Sequence, residues 1–264
     1  MGSCRGSAVA LLLAGVCIAG CAGGPTREQV MLSQRQYDLG VGLYNENNVA
    51  GAFEHLLESV ELDPDNAEAH YMLGNLYMIN RRDWESAEAS FMEALRAHES
   101  VPARSGLPAD VRNSMGVMYI HAERYEDATR ILRESASDLM NRTPAVSWTN
   151  LGWAYTRAAN YEEALRVLNQ ATQLAPQLCI AWYRIGAVRE ARDELEAAED
   201  ALTRALEVDN EVCQAQQVAW RLRGEVRARL GHREEAVSDL EECVQVGADT
   251  NDGAACRRML EEGP

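Results

Sequence analysis

The 264-residue sequence contains no lysine: all 25 basic side chains are arginines, set against 41 carboxylates, and the net charge is −16. A chain this acidic lacks the cationic surface that neutralising a phosphate backbone demands, which argues against nucleic acid as a partner. It also lacks the roughly 20 consecutive apolar residues of a membrane-crossing helix; the apolar run over residues 8–19 is only 12 long. The nucleophile elbow, the phosphate loop, the dinucleotide fingerprint and the H-E-x-x-H pair are all missing. The five histidines, His55, His70, His98, His121 and His232, show no paired ligand spacing and are read as helix-surface residues. The C-x-x-C spacing of zinc sites is absent as well. Asp63-Pro64-Asp65-Asn66 lacks the glycine and distal glutamate of a calcium loop, and residues 249–253 fail the same test. Acid pairs such as Glu162-Glu163 and Glu234-Glu235 are adjacent in sequence and splay around a helix instead of converging. The expectation is therefore a protein that is not an enzyme, with no catalytic residues, no cofactor, no metal and no small-molecule substrate.

What the sequence does have is 47% hydrophobic residues, enough for a core, laid out in a recurring pattern. The cleanest copy contains Trp148, Leu151, Gly152, Tyr155, Tyr161, Ala164, Leu168, Ala171 and Pro176. It resembles the tetratricopeptide repeat, a helix-turn-helix unit of about 34 residues. Small residues at Gly152 and Ala164 allow two helices to approach closely, the aromatics and Leu168 fill the space beside them, and Pro176 stops the second helix. With the glycine as marker, copies fall at Gly40, Gly74, Gly116, Gly152, Gly186 and Gly224, at steps of 34, 42, 36, 34 and 38. The excess length should be an extended helix or a bulged loop near residues 101–107 and before Trp220. The expected fold is all-α: a right-handed tetratricopeptide superhelix of about six helix-turn-helix repeats over residues 33–247. A capping helix within residues 248–264, read at 252–262, covers the last repeat.

The amino terminus has a single charge at Arg5, then the short apolar run, then small residues, the order of a cleaved secretory signal over residues 1–20. Ile18-Ala19-Gly20-Cys21 resembles the lipobox of bacterial lipoproteins, in which the cysteine is acylated. An ordinary signal peptide beside an incidental cysteine is the other reading. Two or three acyl chains on Cys21 would anchor the protein stably in a bilayer, where one chain alone is marginal. The resemblance implies the outer membrane, periplasmic face, because Ala22 rather than aspartate follows the cysteine. Residues 21–32 read as the lipidated end and a flexible tether.

Cys4 and Cys17 leave with the signal and Cys21 is lipidated, so Cys179, Cys213, Cys243 and Cys256 remain. An even number in an oxidising compartment suggests disulfides, with three possible connectivities. Cys179 and Cys213 lie near the starts of first helices in adjacent repeats, normally too far apart to bridge, but an extra turn before Trp220 would bring Cys213 closer. Cys243 sits late in the last second helix, and Cys256 lies across the following turn. Cys179–Cys213 and Cys243–Cys256 are the expected pairs; four buried free thiols are the alternative.

In this repeat class the first helix of each pair lines the concave surface. Positions three before, one after and four after each glycine should face it: Tyr37, Val41, Tyr44, Tyr71, Asn75, Met78, Asn113, Val117, Ile120, Thr149, Trp153, Thr156, Tyr183, Ala187 and Glu190. The early groove is apolar and aromatic, although some of these residues will instead contact the next helix. Grooves that clamp terminal carboxylates use lysines and asparagines, which a chain without lysine disfavours. An amphipathic helix or extended apolar segment of a protein partner fits better.

The run Arg124-Tyr125-Glu126-Asp127-Ala128, then Leu132-Arg133-Glu134-Ser135-Ala136-Ser137-Asp138-Leu139 and Trp148-Thr149-Asn150-Leu151-Gly152, resembles the outer-membrane pilotin lipoproteins of type IV pili, the PilF, PilW and Tgl group. The resemblance extends to the lipobox, the six repeats and the length, and stops short of the four C-terminal cysteines. It implies a tethered pilotin that binds secretin subunits and promotes their localisation and assembly, with motility dependent on it. A lipoprotein adaptor that scaffolds cell-wall hydrolases or other envelope complexes is the alternative.

Overall fold

The computed structural model describes residues 24–100 and 105–263. The signal segment, Cys21 and residues 101–104 lie outside the described residues. Fourteen α-helices and no strand occur among those described. The first helix of each repeat is α1 (Arg27–Asn45), α3 (Ala67–Leu76), α5 (Leu107–His121), α7 (Pro144–Arg157), α9 (Cys179–Ala191) and α12 (Gln217–Leu230). Their antiparallel partners are α2 (Val49–Leu62), α4 (Trp84–Ser100), α6 (Tyr125–Ser137), α8 (Tyr161–Leu174), α10 (Leu195–Glu207) and α13 (Arg233–Val246). A single turn, α11 (Glu211–Gln214), precedes α12, and α14 (Asn251–Glu262) closes the stack. None of the described helices is long and apolar enough to cross a membrane.

The marker glycines set the spacing within each pair. A Cβ on Gly40 would stand 2.8 Å from Leu56 Cγ, and one on Gly74 would stand 2.5 Å from the Phe91 ring. Leu132, Leu168, Leu202 and Leu240 press on Gly116, Gly152, Gly186 and Gly224 in the same way. Those six large side chains are fully buried. First helices of successive repeats touch one another along the stack, whereas contacts between successive second helices are sparse. The first helices therefore form the inner, tighter wall and the second helices fan out on the outside, as in a superhelix.

The turn inside every repeat rests on one left-handed residue: Asn47, Arg82, Glu123, Ala159, Asp193 and Gly231, with φ between 52° and 84°. Behind it a backbone bond closes the end of the first helix, for example Asn160 N to Tyr155 O at 2.9 Å and His232 N to Arg227 O at 2.9 Å. The left-handed residue comes seven positions after the marker glycine in five repeats and eight after it in the second. The extra residue is absorbed where α3 runs on into a π-helical turn, Tyr77–Arg81.

Two boundaries differ from the sequence reading. Residues 27–32 are helix rather than tether, because Thr26 and Gln29 form a reciprocal capping box that starts α1 at Arg27. The excess length before Trp220 is α11, and Cys213 sits on that turn rather than on a first helix. The turn places Cys213 beside Cys179 at the start of α9, with Cα atoms 5.7 Å apart, and the two form a disulfide. A second disulfide joins Cys243 on α13 to Cys256 on α14, with Cα atoms 6.4 Å apart. It pins the last helix over an apolar cluster of Leu240, Trp220, Val244, Met259 and Leu260.

Candidate protein-binding groove

The inner wall carries two shallow clefts. The first, of about 460 Å³, is lined by Met78, Ile79, Arg82, Trp84, Val117 and His121. The second, of about 310 Å³, lies between α7 and α9 and is lined by Trp153, Thr156, Arg157, Ile180, Tyr183, Arg184 and Ala187. Rings join them. His121 stacks on Trp84 with planes 6° apart and centroids at 6.2 Å, and meets Trp153 edge-on at 5.2 Å. The Arg184 guanidinium lies 4.8 Å from the Trp153 ring centroid. Trp84, His121, Trp153 and Arg184 thus form one continuous line across four successive repeats, from α4 to α9.

Met78, Val117, Trp153, Thr156, Tyr183 and Ala187 line the clefts. Tyr37, Val41 and Tyr44 are half-buried on α1. Tyr71 bonds Ser114 Oγ through its hydroxyl at 3.1 Å and packs on Phe91, while Asn75 donates to the Tyr71 carbonyl at 3.1 Å. Asn113 accepts from Asn150 Nδ2 at 3.0 Å, and Glu190 pairs with Arg229 at 2.5 Å. Ile120 and Thr149 do not face the groove: both are buried, Ile120 in the main core cluster and Thr149 with its hydroxyl on the Ala145 carbonyl at 2.7 Å. Ile120 is 0% and Thr149 1% exposed, so the packing of the stack covers both.

Ile79, Arg82, Trp84, His121, Arg157, Ile180 and Arg184 were not anticipated. His121, read as a surface side chain, is exposed as expected and also stands in the ring line. Its signal was its place one turn beyond Val117 on the same helix face. Ile79 and Arg82 reach the cleft through the π-helical turn, which shows in the sequence only as one extra residue between Gly74 and the second helix. Burial, with Arg157 and Arg82 nearby, holds the His121 imidazole below its ordinary pKa, so the neutral form is favoured. Burial pulls the Arg184 guanidinium down to about 10, still charged at neutral pH.

Residues 43–80 match the family model described as TPR repeat, and residues 145–178 match the one described as tetratricopeptide repeat. The chain carries tetratricopeptide repeats. Among solved structures, PilW, a widely conserved type IV pilus biogenesis factor, has a TM-score of 0.71 at 16% identity, covering 84% of this chain and 97% of its own. PilF of Pseudomonas aeruginosa has a TM-score of 0.68 at 17% identity, covering 88% of this chain and 99% of its own. The Cut9–Hcn1 assembly of the APC/C has a TM-score of 0.66 at 14% identity, covering 88% of this chain and 45% of its own. At these identities the likeness is one of fold, a protein-interaction scaffold. A comparison with curated proteins finds no match.

Proposed function

We propose that this tetratricopeptide protein is an outer-membrane pilotin, tethered at the periplasmic face through acylated Cys21, that binds secretin subunits and promotes their assembly for type IV pilus biogenesis. The observation that carries this reading is the chain of ring contacts from Trp84 at the start of α4 through His121 and Trp153 on the first helices α5 and α7, in a fold shared over nearly the whole length of PilW and PilF. Aromatic side chains set in an inner groove suit an apolar or amphipathic segment, because they offer large contact area at small cost in rotamer freedom. The acyl chains fix the location, the groove captures the segment, and the raised local concentration favours oligomerisation without any bond being made or broken. The protein has no catalytic part in this scheme.

Deleting the gene and running the secretin on a gel that preserves heat-resistant multimers tests the reading. Loss of multimers, reproduced by Cys21→Ala, is the expected outcome. Normal multimers in the deletion strain would instead leave the envelope-adaptor reading, a scaffold for cell-wall hydrolases, as the better account.

A further inference from the structure

Twelve of the described arginines stand within ion-pair distance of a carboxylate, from Arg96 to Arg229. Of the described arginines that do not, all but one are exposed and solvated. The exception is Arg184 on α9, which is half-buried, lines the second cleft and has no carboxylate within reach among the described residues. Its guanidinium is held in place on three sides. Nη1 donates to the Thr149 carbonyl at 2.7 Å and to Asn150 Oδ1 at 3.0 Å, and the plane lies against Trp153. Nε and Nη2 donate to no described residue.

Withdrawing a cation even partly from water without an anion costs free energy, and a carboxylate meeting the nitrogens that still reach solvent would offset it. A guanidinium with one edge tied down and the other free presents a fork that matches the two oxygens of a carboxylate. The surroundings agree in sign. Arg157 lines the same cleft and no carboxylate does, although the whole chain carries a net charge of −16. An acidic segment is therefore repelled by most of the molecule and accepted here.

We propose that Arg184 receives the side-chain carboxylate of an Asp or Glu in the bound segment, with a neighbouring apolar side chain seated against Trp153 and Tyr183. The proposal rests on the inner groove being the protein-binding surface and adds to it the chemistry of the segment.

Short random peptides with amidated C-termini, presented to the full mature chain, test it. The wild type should select peptides in which Asp or Glu adjoins an aliphatic or aromatic residue. Changing that acid to its amide should weaken binding about tenfold or more. Arg184→Gln should cause the same loss with the acidic peptide and none with the amide. Arg184→Lys, which keeps the charge, should recover part of it. Failure to select any peptide, selection without an acid, selection only when C-termini are free, or losses that add independently would each overturn the proposal. Tiled peptides of the cognate secretin separate the two readings. If none of them binds while acidic selection persists, the secretin assignment fails alone. If they bind wild type and Arg184→Gln equally, the Arg184 assignment fails alone.

Discussion

Arg223 and Asp239 occupy the places that in the fourth repeat belong to Leu151 and Val167, one before and fifteen after the marker glycine. In the sixth repeat an apolar contact has thus become a buried ion pair. Arg223 Nη2 reaches Asp239 Oδ1 at 2.7 Å, and Arg227 Nη1 reaches Oδ2 at 2.9 Å. The swap removes the apolar residue that precedes the marker glycine in the other five repeats, while the backbone of the sixth remains regular. Asp239→Ala strands the buried guanidinium of Arg223 and should lower stability by about 3–5 kcal/mol. The double change Arg223→Leu with Asp239→Val, which restores the fourth-repeat pair, should be neutral or stabilising. Urea unfolding followed through Trp220 distinguishes the two outcomes. His121 gives a prediction of a different kind. Its folded pKa lies below the ordinary value of about 6.5, so the unfolded chain takes up its proton first as pH falls. The stability it contributes is complete above about pH 6.5 and is lost as pH falls through that value towards the lower folded pKa. An NMR titration should place its midpoint below 6.5, and His121→Gln should flatten the pH dependence of stability in that window.

The elements were largely legible in the sequence, because glycine against leucine is a steric requirement and leaves a fixed mark in each repeat. What joins the elements was less so. Five of the six left-handed turn residues are Asn, Arg, Glu, Ala and Asp rather than glycine, so the usual marker of that conformation is missing. An L-residue there costs roughly 1–2 kcal/mol, partly offset by the lower entropy of its unfolded chain. Ala159→Gly should therefore stabilise the protein by about 0.5–1 kcal/mol. Gly152→Ala, which drives a methyl group into Leu168, should destabilise it by about 1–3 kcal/mol. Periodicity gave the direction in which a helical side chain points, but not which neighbouring helix covers it. Ile120 and Thr149 were lost from the groove for that reason, and Arg184, two residues before its marker glycine, was missed. The disulfides act at this scale too. Cys179–Cys213 closes a 34-residue span and Cys243–Cys256 a 13-residue span, each expected to contribute about 3–4 kcal/mol by loop entropy. Reduction should lower Tm and, in hydrogen exchange, expose α12 to α14 while the first four repeats stay protected, since a repeat stack is stabilised by nearest neighbours.

At the scale of the whole molecule, the repeats place aromatic rings on the inner wall, together with a half-buried guanidinium, Arg184, that has no carboxylate partner among the described residues, and most carboxylates on the solvated exterior. A tether at Cys21 would hold that wall near a membrane and raise the chance of meeting a secretin subunit before the subunit meets others of its kind. The central claim is that the inner wall, and not the outer, holds that subunit. Placing a photo-crosslinking residue in living cells at Val117 or Ala187 in the groove, and at exposed Gln245 on α13 as the outer control, tests it directly. The account predicts a secretin adduct from both groove positions and none from the control. Groove positions that capture no more secretin than the control, or that capture a cell-wall hydrolase in its place, would contradict it.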